Sequence, residues 1–450
     1  MLIDNHMQKK ISDFVAKLQS QTHLPYWALN HEMVIYALAV NSKPTWGEKA
    51  KLLNFLITIA NKMMLSDVLI FSLGLLRAFA LWRAVKKKKK NIKINNINKF
   101  THIFFSFKVS SENYLYADYV KQTEGVTLKI DSVTLDGMQY FDQPKFTFIL
   151  ALLFKYAFGC TAKLKMLQSE INLNVNDFLT VSALNIGIYT FYRSYWNMLK
   201  SKKVKEIAFI TIDPPLYACI DEAIPTVFFE HGLMFRSLLI PKVDRFYTLT
   251  YDEEKYLKKS IPHIKVGRKL IKYKINKTKN NNIMILSPNL ILSNFCKIQE
   301  FMSQPIFKNF QFINRPTPQA TESELHLSLK ELPSTILDDT TIPLYESIEK
   351  WNPKFIISGW MSTGLATALD YECLPISLYD PNIDDKWIEK IYPNDYWNTI
   401  YPVKSRILFW PRDQEIIKKT IVSQIAYENQ IKILQPTGYS GKIKESCYDI

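Results

Sequence analysis

The sequence has few cysteines, and they form no pattern. Five cysteines (Cys160, Cys219, Cys296, Cys373 and Cys447) are scattered through 450 residues, with no C-x-x-C pair among them. An odd and widely spaced set argues against a disulfide framework and against a zinc ribbon. A reducing cytosol is therefore the expected compartment.

The chain also has no recognisable export signal and no long uncharged apolar run. Its opening stretch, MLIDNHMQKKISDF, has no apolar core of the kind that a secretory signal needs. Residues 52–82 are strongly apolar, but Lys62, Asp67 and Arg77 interrupt them. No uncharged run reaches the roughly 18 residues that a bilayer crossing requires. We expect a cytoplasmic protein that does not span a membrane.

Acidic residues are in the minority. The chain has 42 Asp and Glu against 57 Lys and Arg, for a formal net charge of +15. Part of the excess is a run of five lysines: Lys86, Lys87, Lys88, Lys89 and Lys90. Near a surface of anionic lipids each such charge contributes about 1 kcal/mol, so a peripheral contact with the inner membrane is one hypothesis. The alternative hypothesis, to which we give equal weight, is that the lysine run is a solvated loop.

Two series of short apolar strands alternate with helical patterns, which predicts an α/β protein with two mainly parallel sheets. IAFITI and TVFF are typical strands of the first series, and IMILS and FIIS of the second. Between the series lies a polar, basic and asparagine-rich connection at 266–282. The predicted organisation is a helical, membrane-associated or solvated segment at 1–100, Rossmann-like domains at 101–265 and 283–410, and a helical segment at 411–450.

In such sheets ligands bind beyond the carboxyl ends of the strands, so residues directly after each strand are the candidate site residues. The stretch FIISGWMSTGLATALDYECLPISL contains a strand, then a turn with Gly359, Ser362, Thr363 and Gly364, then a helix. A helix that begins on Ser-Thr-Gly offers hydroxyls, backbone N–H groups and its positive dipole end to a phosphate. An ordinary Ser/Thr N-cap is the alternative, and we favour the phosphate.

Two further strand ends carry candidate residues. After TVFF, Glu230 and His231 offer a carboxylate and an imidazole as a general base, and Gly232 permits a turn. After FQFIN, Arg315 precedes a proline, and its guanidinium could grip two phosphate oxygens. The alternative for the triplet is a polar strand end bonded to its loop, and the alternative for Arg315 is an ordinary surface loop, where arginine before proline is common. Asp213, at the end of another strand, is a candidate for the acceptor side.

The order of these motifs resembles the GT-B glycosyltransferases of bacterial capsule and lipopolysaccharide synthesis, and within them the enzymes that use CMP-activated acidic sugars such as sialic, pseudaminic or legionaminic acid or Kdo. The sialyltransferases of that type carry an acidic-acidic-Gly, a His-Pro and a Ser-Ser/Thr element. Here Glu230-His231-Gly232, Arg315-Pro316 and Ser362-Thr363 stand in their places. His231 replaces the second carboxylate and Arg315 replaces the histidine. The resemblance covers about residues 205–380.

The resemblance implies a GT-B fold, with two Rossmann-like domains facing a central cleft. It implies a capsule or O-antigen glycosyltransferase that transfers a nonulosonic or ulosonic sugar from a CMP donor to a glycan or lipid-linked glycan. Glu230 or His231 would be the base, and Ser362, Thr363 and Arg315 would hold the phosphate. It further implies that the helices after residue 410 return to the first domain.

No metal or cofactor is expected, because no Asp-x-Asp motif follows a strand and Asp338-Asp339 is typical of a polar turn. Other enzyme classes share the two-sheet architecture: UDP-sugar glycosyltransferases or epimerases and CDP-glycerol phosphotransferases, the latter suggested by the His-Gly segment after TVFF. A non-enzymatic basic protein that binds membrane or nucleic acid also stays open. No nucleic-acid-binding module is present to support the last option, so no nucleic-acid partner is expected.

Overall fold

A computed structural model describes residues 47–89, 100–107, 115–116, 119–121, 123, 125–170, 174–200, 202, 204–230, 242–248, 258, 264–269, 279–287, 295–317, 320–359, 362–378, 407–434 and 448–449. The chain divides into two compact units, Met1–Glu230 with Phe235–Phe246 and His231–Met234 with Tyr247–Ile450.

The first sheet is built from short strands rich in β-branched and aromatic residues, which suit a buried pleated surface. The strands are β1 (Phe100–Ser106), β2 (Val126–Asp131), β3 (Glu206–Phe209), β4 (Thr226–Phe229), β5 (Arg245–Thr248) and β6 (Lys265–Lys269). They lie in the order β6-β5-β4-β3-β1-β2, and β1 runs parallel to both β2 and β3. A two-residue strand at Tyr448–Asp449 adds antiparallel to β6.

Within the described part of the chain, six α-helices with defined bounds accompany this sheet. They are α1 (Glu48–Lys62), α2 (Ser66–Lys89), α3 (Phe146–Ala157), α4 (Cys160–Glu170), α5 (Val175–Lys200) and α6 (Pro214–Asp221). Helix α5 is apolar nearly all round, as a helix buried between other layers must be. Its Trp196 meets Phe105 of β1 and Phe209 of β3, with ring centroids 5.7 and 6.2 Å apart. The core of the first unit therefore lies between α5 and the sheet.

The second sheet has six strands among the residues that the structure describes. They are β7 (Asn280–Ser287), β8 (Gln311–Pro316), β9 (Ile336–Leu337), β10 (Pro353–Ser358), β11 (Leu374–Ser377) and β12 (Leu408–Phe409). Neighbouring strands are parallel, in the order β12-β11-β10-β7-β8-β9. Counted within this sheet, the order is the 3-2-1-4-5-6 of the dinucleotide-binding Rossmann fold, read from the other edge.

The helices of the second unit follow its strands in turn. They are α7 (Phe295–Met302), α8 (Glu322–Glu331), α9 (Leu344–Trp351), α10 (Thr363–Asp370), α11 (Gln414–Val422) and α12 (Gln424–Leu434). The prediction of an α/β protein with two Rossmann-like sheets is confirmed. The switch from the first sheet to the second falls between β6 and β7, around the predicted connection, while the division into compact units falls within β5.

The last two helices correct one expectation. Ile417 of α11 and Tyr427 and Ile431 of α12 belong to the core formed by the second sheet. The Tyr427 hydroxyl donates to the carbonyl oxygens of Lys354 and Glu372, at 2.9 and 2.6 Å. The helices after residue 410 therefore pack on the second sheet, because their apolar faces complete its core.

Two stretches of the described chain, Ser66–Lys89 and Phe146–Met166, are long and apolar enough to cross a membrane, judged by length and composition alone. The same test is also passed by core helices of soluble proteins. How the first stretch is packed, and which of its faces is exposed, decides what it can do.

Candidate functional site

The second sheet reverses its strand order between β7 and β10. In open α/β sheets, ligands bind outside the carboxyl ends of the strands at such a switch point. β10 ends at Ser358, the buried Gly359 follows it, and α10 begins at Thr363. The turn singled out in the sequence as a phosphate site therefore lies at the switch point of a nucleotide-binding type of sheet.

The start of α10 has a side-chain cap. Ser362 has extended backbone angles, and its Oγ accepts a hydrogen bond of 3.2 Å from the Gly364 N–H. Ser362 thus acts as an ordinary N-cap, as the alternative interpretation of this turn predicted. The Leu365 N–H also donates within the turn, to the Ser362 carbonyl at 3.0 Å. An anion at this helix start would therefore be met mainly by the Ser362 hydroxyl hydrogen and the positive end of the helix dipole. The side chain of Thr363 lies outside the described residues.

Gly364 lets this first turn pack against the sheet. A Cβ at this position would collide with Leu286 of β7 and would lie 3.0 Å from Leu344 of α9. A larger residue here would have to push aside the side-chain ends of Leu286 and Leu344, so glycine lets this turn lie close to the sheet. The effect is to bring the N–H groups of α10 close to the carboxyl end of β7, the neighbouring strand across the switch point.

A row of serines at this edge was not singled out from the sequence. Ser287, Ser358 and Ser377 end β7, β10 and β11, and all three are buried. Ser358 pairs in register with Ser377 and with Leu286, the residue before Ser287. The signal was present, because the runs IMILS, FIIS and LPIS each end an apolar strand with serine. Small polar side chains at this edge reduce the bulk between the strands and the turns that follow.

Arg315 ends up in a different environment from the one expected. Its side chain is 4% exposed and lies inside the second unit. Its Nη1 donates to Asp338 Oδ2 at 2.5 Å, to the Asp339 carbonyl at 3.1 Å and to Ser347 Oγ at 2.5 Å, while Nη2 donates to the Ile342 carbonyl at 2.7 Å. The guanidinium holds the connection between β9 and α9, and a phosphate contact would require these bonds to be exchanged.

The candidate base lies at the end of β4 in the first unit. Glu230 follows Phe229 directly and is 4% exposed, so the structure holds this carboxylate within the protein rather than on its surface. His231 and Gly232 lie outside the described residues. The assignment of the base to Glu230 or His231 stays a prediction.

A second carboxylate stands at the switch point of the first sheet, where β1 and β3 are neighbours. Asp213 follows β3 and caps α6, accepting from the Leu216 N–H at 3.4 Å and from Thr211 Oγ1 at 3.0 Å. Burial raises the pKa of Asp213 to about 7, and the two hydrogen bonds oppose the rise. Because Tyr192 is buried close to the Asp213 and Asp131 carboxylates, this strand end has the perturbed environment that general bases need.

We expect Asp213→Asn to stabilise the protein above pH 7. The unfolded carboxyl loses its proton near pH 4 and the folded one near pH 7, so stability falls as the pH rises through this window. Asparagine keeps the cap and removes the ionisation. After a discount for partial solvent exposure, the gain in free energy of unfolding at pH 8 should be about 1–3 kcal/mol. Urea unfolding at pH 4 and pH 8 measures it, and an equal difference at both pH values would contradict the assignment.

No cluster of His, Cys, Asp and Glu suited to a metal ion occurs among the described residues. Asp338 and Asp339 instead serve the fold. Asp338 accepts from Arg315 and from the Trp351 indole N–H at 2.7 Å, and Asp339 accepts from Thr341. Asp338 is thus a buried partner of Arg315, whereas Asp339 is exposed and bonds within its own loop.

No protein-family model and no curated protein matches the sequence. Among solved structures, the chain is similar to the UDP-bound structure of MnaA from S. aureus, with 10% identity, 76% of this chain and 94% of that one covered, and a TM-score of 0.42. It is also similar to MurG from Acinetobacter baumannii, at 11% identity, 74% and 93% coverage and a TM-score of 0.39. A third similar structure is that of the glycosyltransferase SnogD from Streptomyces nogalater. It has 10% sequence identity, covers 75% of this chain and 94% of its own, and gives a TM-score of 0.42. Because these sequence identities and TM-scores are low, the fold assignment rests on the strand order of the two sheets and not on the similarity to these structures.

Proposed function

We propose that the protein is a glycosyltransferase of the GT-B type that binds a nucleotide-activated sugar through its second unit. The observation that carries the proposal is the position of α10, whose capped and glycine-packed first turn lies at the switch point of a sheet with Rossmann strand order. A helix start in this position is suited to the phosphate of a nucleotide, because it combines serine and threonine hydroxyls with the positive end of the helix dipole.

The donor class rests on the sequence motifs. Ser362-Thr363 and the Glu230-His231-Gly232 triplet resemble the elements of transferases that use CMP-activated acidic sugars, and we propose a CMP-linked nonulosonic or ulosonic sugar as donor. The acceptor would be a glycan or lipid-linked glycan of a capsule or lipopolysaccharide. UDP-sugar transferases or epimerases and CDP-glycerol phosphotransferases are the rival classes, since they share two Rossmann-like sheets.

In this mechanism the nucleotide phosphate accepts hydrogen bonds from the first turn of α10 while it leaves the sugar. A base at the end of β4 takes the proton from the attacking acceptor hydroxyl. Glu230 is the described candidate at that strand end, and Asp213 is a second carboxylate at the same edge of the first sheet. Most of the rate enhancement would come from positioning and from stabilising the phosphate charge.

The donor site is tested by replacing Ser362 and Thr363 together by alanine. Hydrogen bonds to a charged group contribute about 1.5–3 kcal/mol, so we expect the affinity for CMP to fall roughly 10- to 100-fold. Titration calorimetry with CMP, UDP and CDP measures the loss and identifies the nucleotide. If UDP or CDP binds much more tightly than CMP, the corresponding rival class replaces the CMP-sugar proposal.

A matched control is available in the same unit. Thr321 caps α8, the helix that follows β8, in a capping box with Glu324. Thr321→Ala removes a cap at a comparable cost of about 0.5–2 kcal/mol of local stability. It should leave nucleotide affinity unchanged. An equal loss of affinity in both variants would mean that Ser362 and Thr363 act only by stabilising their helix.

A further inference from the structure

Helix α2 is held against the first unit on one side only. Gly74 of α2 crosses Gly187 of α5 so closely that a Cβ on Gly74 would lie 2.6 Å from Ile186, and one on Gly187 would collide with the Gly74 carbonyl. Helix α5 in turn packs on the sheet through aromatic rings. Helix α2 is therefore a second layer, fixed to α5 by a glycine crossing, and its other side faces outward.

The outward side of α2 continues into α1 and α3 as an apolar surface. Exposed large apolar residues include Phe55, Ile59 and Met64 at α1 and its turn, Leu76 and Phe79 on α2, and Phe154 on α3. We call this surface the apolar helical face. Phe71 of α2 and Phe154 of α3 are in ring contact at 4.6 Å, so the two helices form one continuous patch. Met64 is 89% exposed and Phe55 60%. Patches of this kind mark surfaces that bind a partner or a membrane.

The charge around the apolar helical face is strongly positive. Helices α1 to α4 carry twelve lysines and arginines but three acidic residues. One of those acids, Asp67, is engaged by the N–H groups of Gly159 and Thr161. Exposed lysines such as Lys62 and Lys155 border the patch. A basic rim around apolar and aromatic residues complements anionic lipid headgroups above an acyl layer.

The lysine run contributes less directly than its sequence suggests. Lys88 and Lys89 form ion pairs with Asp136 and Asp142, and Lys86 lies over the Trp82 ring at 4.9 Å from its centroid. The run is thus partly neutralised by the first unit itself. The main lipid contact should come from the apolar helical face, which the sequence analysis did not single out.

We propose that the apolar helical face binds the surface of an anionic lipid bilayer, with α1, α2 and α3 lying at the headgroup boundary. Crossing the bilayer is disfavoured for α2, because its inner side is committed to α5 and because Arg77 and Arg83 would enter the hydrocarbon. The proposal is independent of the proposed glycosyltransferase activity, since it concerns a surface on the helical layer and requires no nucleotide.

The test is co-sedimentation of the full chain with vesicles of phosphatidylcholine containing phosphatidylglycerol, compared with phosphatidylcholine alone. We expect binding to the anionic vesicles that weakens as salt is added. The variant Phe55→Glu with Met64→Glu should lower the partition coefficient by about tenfold or more, because two exposed apolar side chains no longer enter the acyl boundary. Both sites are exposed, so folding should be unaffected.

The matched control is Val422→Glu with Ile425→Glu, which places two charges at exposed apolar positions of the second unit. It should bind vesicles like the unmodified chain. The proposal is overturned if the unmodified chain does not bind anionic vesicles, or if both double variants lose binding equally. It is also overturned if light scattering shows a dimer that only the Phe55/Met64 variant dissociates, since the face would then join two copies of the chain.

Discussion

Replacing Glu230 by glutamine or His231 by asparagine should lower the turnover of sugar transfer by roughly 10²- to 10⁴-fold, the usual effect of removing a general base. Each substitution keeps the approximate shape of the side chain and removes either the carboxylate charge or the imidazole basicity. We expect the larger loss at His231. An unperturbed histidine has a pKa of about 6.5, close to cellular pH, whereas an unperturbed glutamate near 4.3 would need substantial upward tuning.

The measurement is release of CMP from a panel of CMP-activated sugars in the presence of acceptor, with affinity for CMP determined separately. Because the proposed phosphate site lies at the start of α10 and not at the end of β4, both variants should retain CMP binding. Glu206→Gln is a suitable control, since this carboxylate lies at the amino end of β3, pairs with Arg245 and should not affect turnover. Near-normal rates in both variants, with folded structure and intact CMP binding, would show that the triplet is structural.

The pH dependence of turnover separates Asp213 from the triplet. If Asp213 were the base, Asp213→Asn would abolish the rise in rate near its pKa of about 7. If it serves only α6, the rate would be retained and the change would be confined to stability. Measuring both turnover and stability of Asp213→Asn as a function of pH therefore shows whether the base lies at the end of β3 or at the end of β4.

Strands were predictable from the sequence where local composition and burial agree. IMILS and FIIS are short runs of β-branched and apolar residues, and they form β7 and β10, which are buried on both faces as parallel strands are. β6 was assigned to the connection between the domains because KVGRK is basic and polar. Its place in the sheet depends on pairing with distant strands, which composition does not encode.

The candidate site was predictable only in part, for a similar reason. The start of α10 at Ser362-Thr363 is a local signal, and the helix does begin there. The serine row depends on register between strands far apart in the chain, and so could not be placed from one motif at a time. The partners of Arg315 come from the connection after β9 and from α9, and nothing next to Arg315 in the sequence indicates them.

The buried ion pair between Arg315 and Asp338 predicts a large loss of folding stability when the arginine is replaced. Arg315→Met should lower the free energy of unfolding by about 3–5 kcal/mol, because removing one partner leaves the other charge buried without compensation. Asp338 is fully buried at its side chain and would retain the Trp351 N–H as a donor in place of the guanidinium. Urea unfolding monitored by circular dichroism measures the loss.

The double variant Arg315→Met with Asp338→Asn decides between the two roles considered for this arginine. If Arg315 holds the connection between β9 and α9, neutralising Asp338 should recover part of the lost stability, with a coupling of about 0.5–3 kcal/mol between the two sites. CMP affinity of the folded double variant should then be unchanged. If instead Arg315→Met leaves stability within about 1 kcal/mol of the unmodified chain and both variants fail to bind CMP, the guanidinium is a phosphate ligand and its internal role is wrong. A phosphate ligand cannot be replaced by neutralising Asp338, so recovery of stability without loss of nucleotide binding is the result that only the internal ion pair explains.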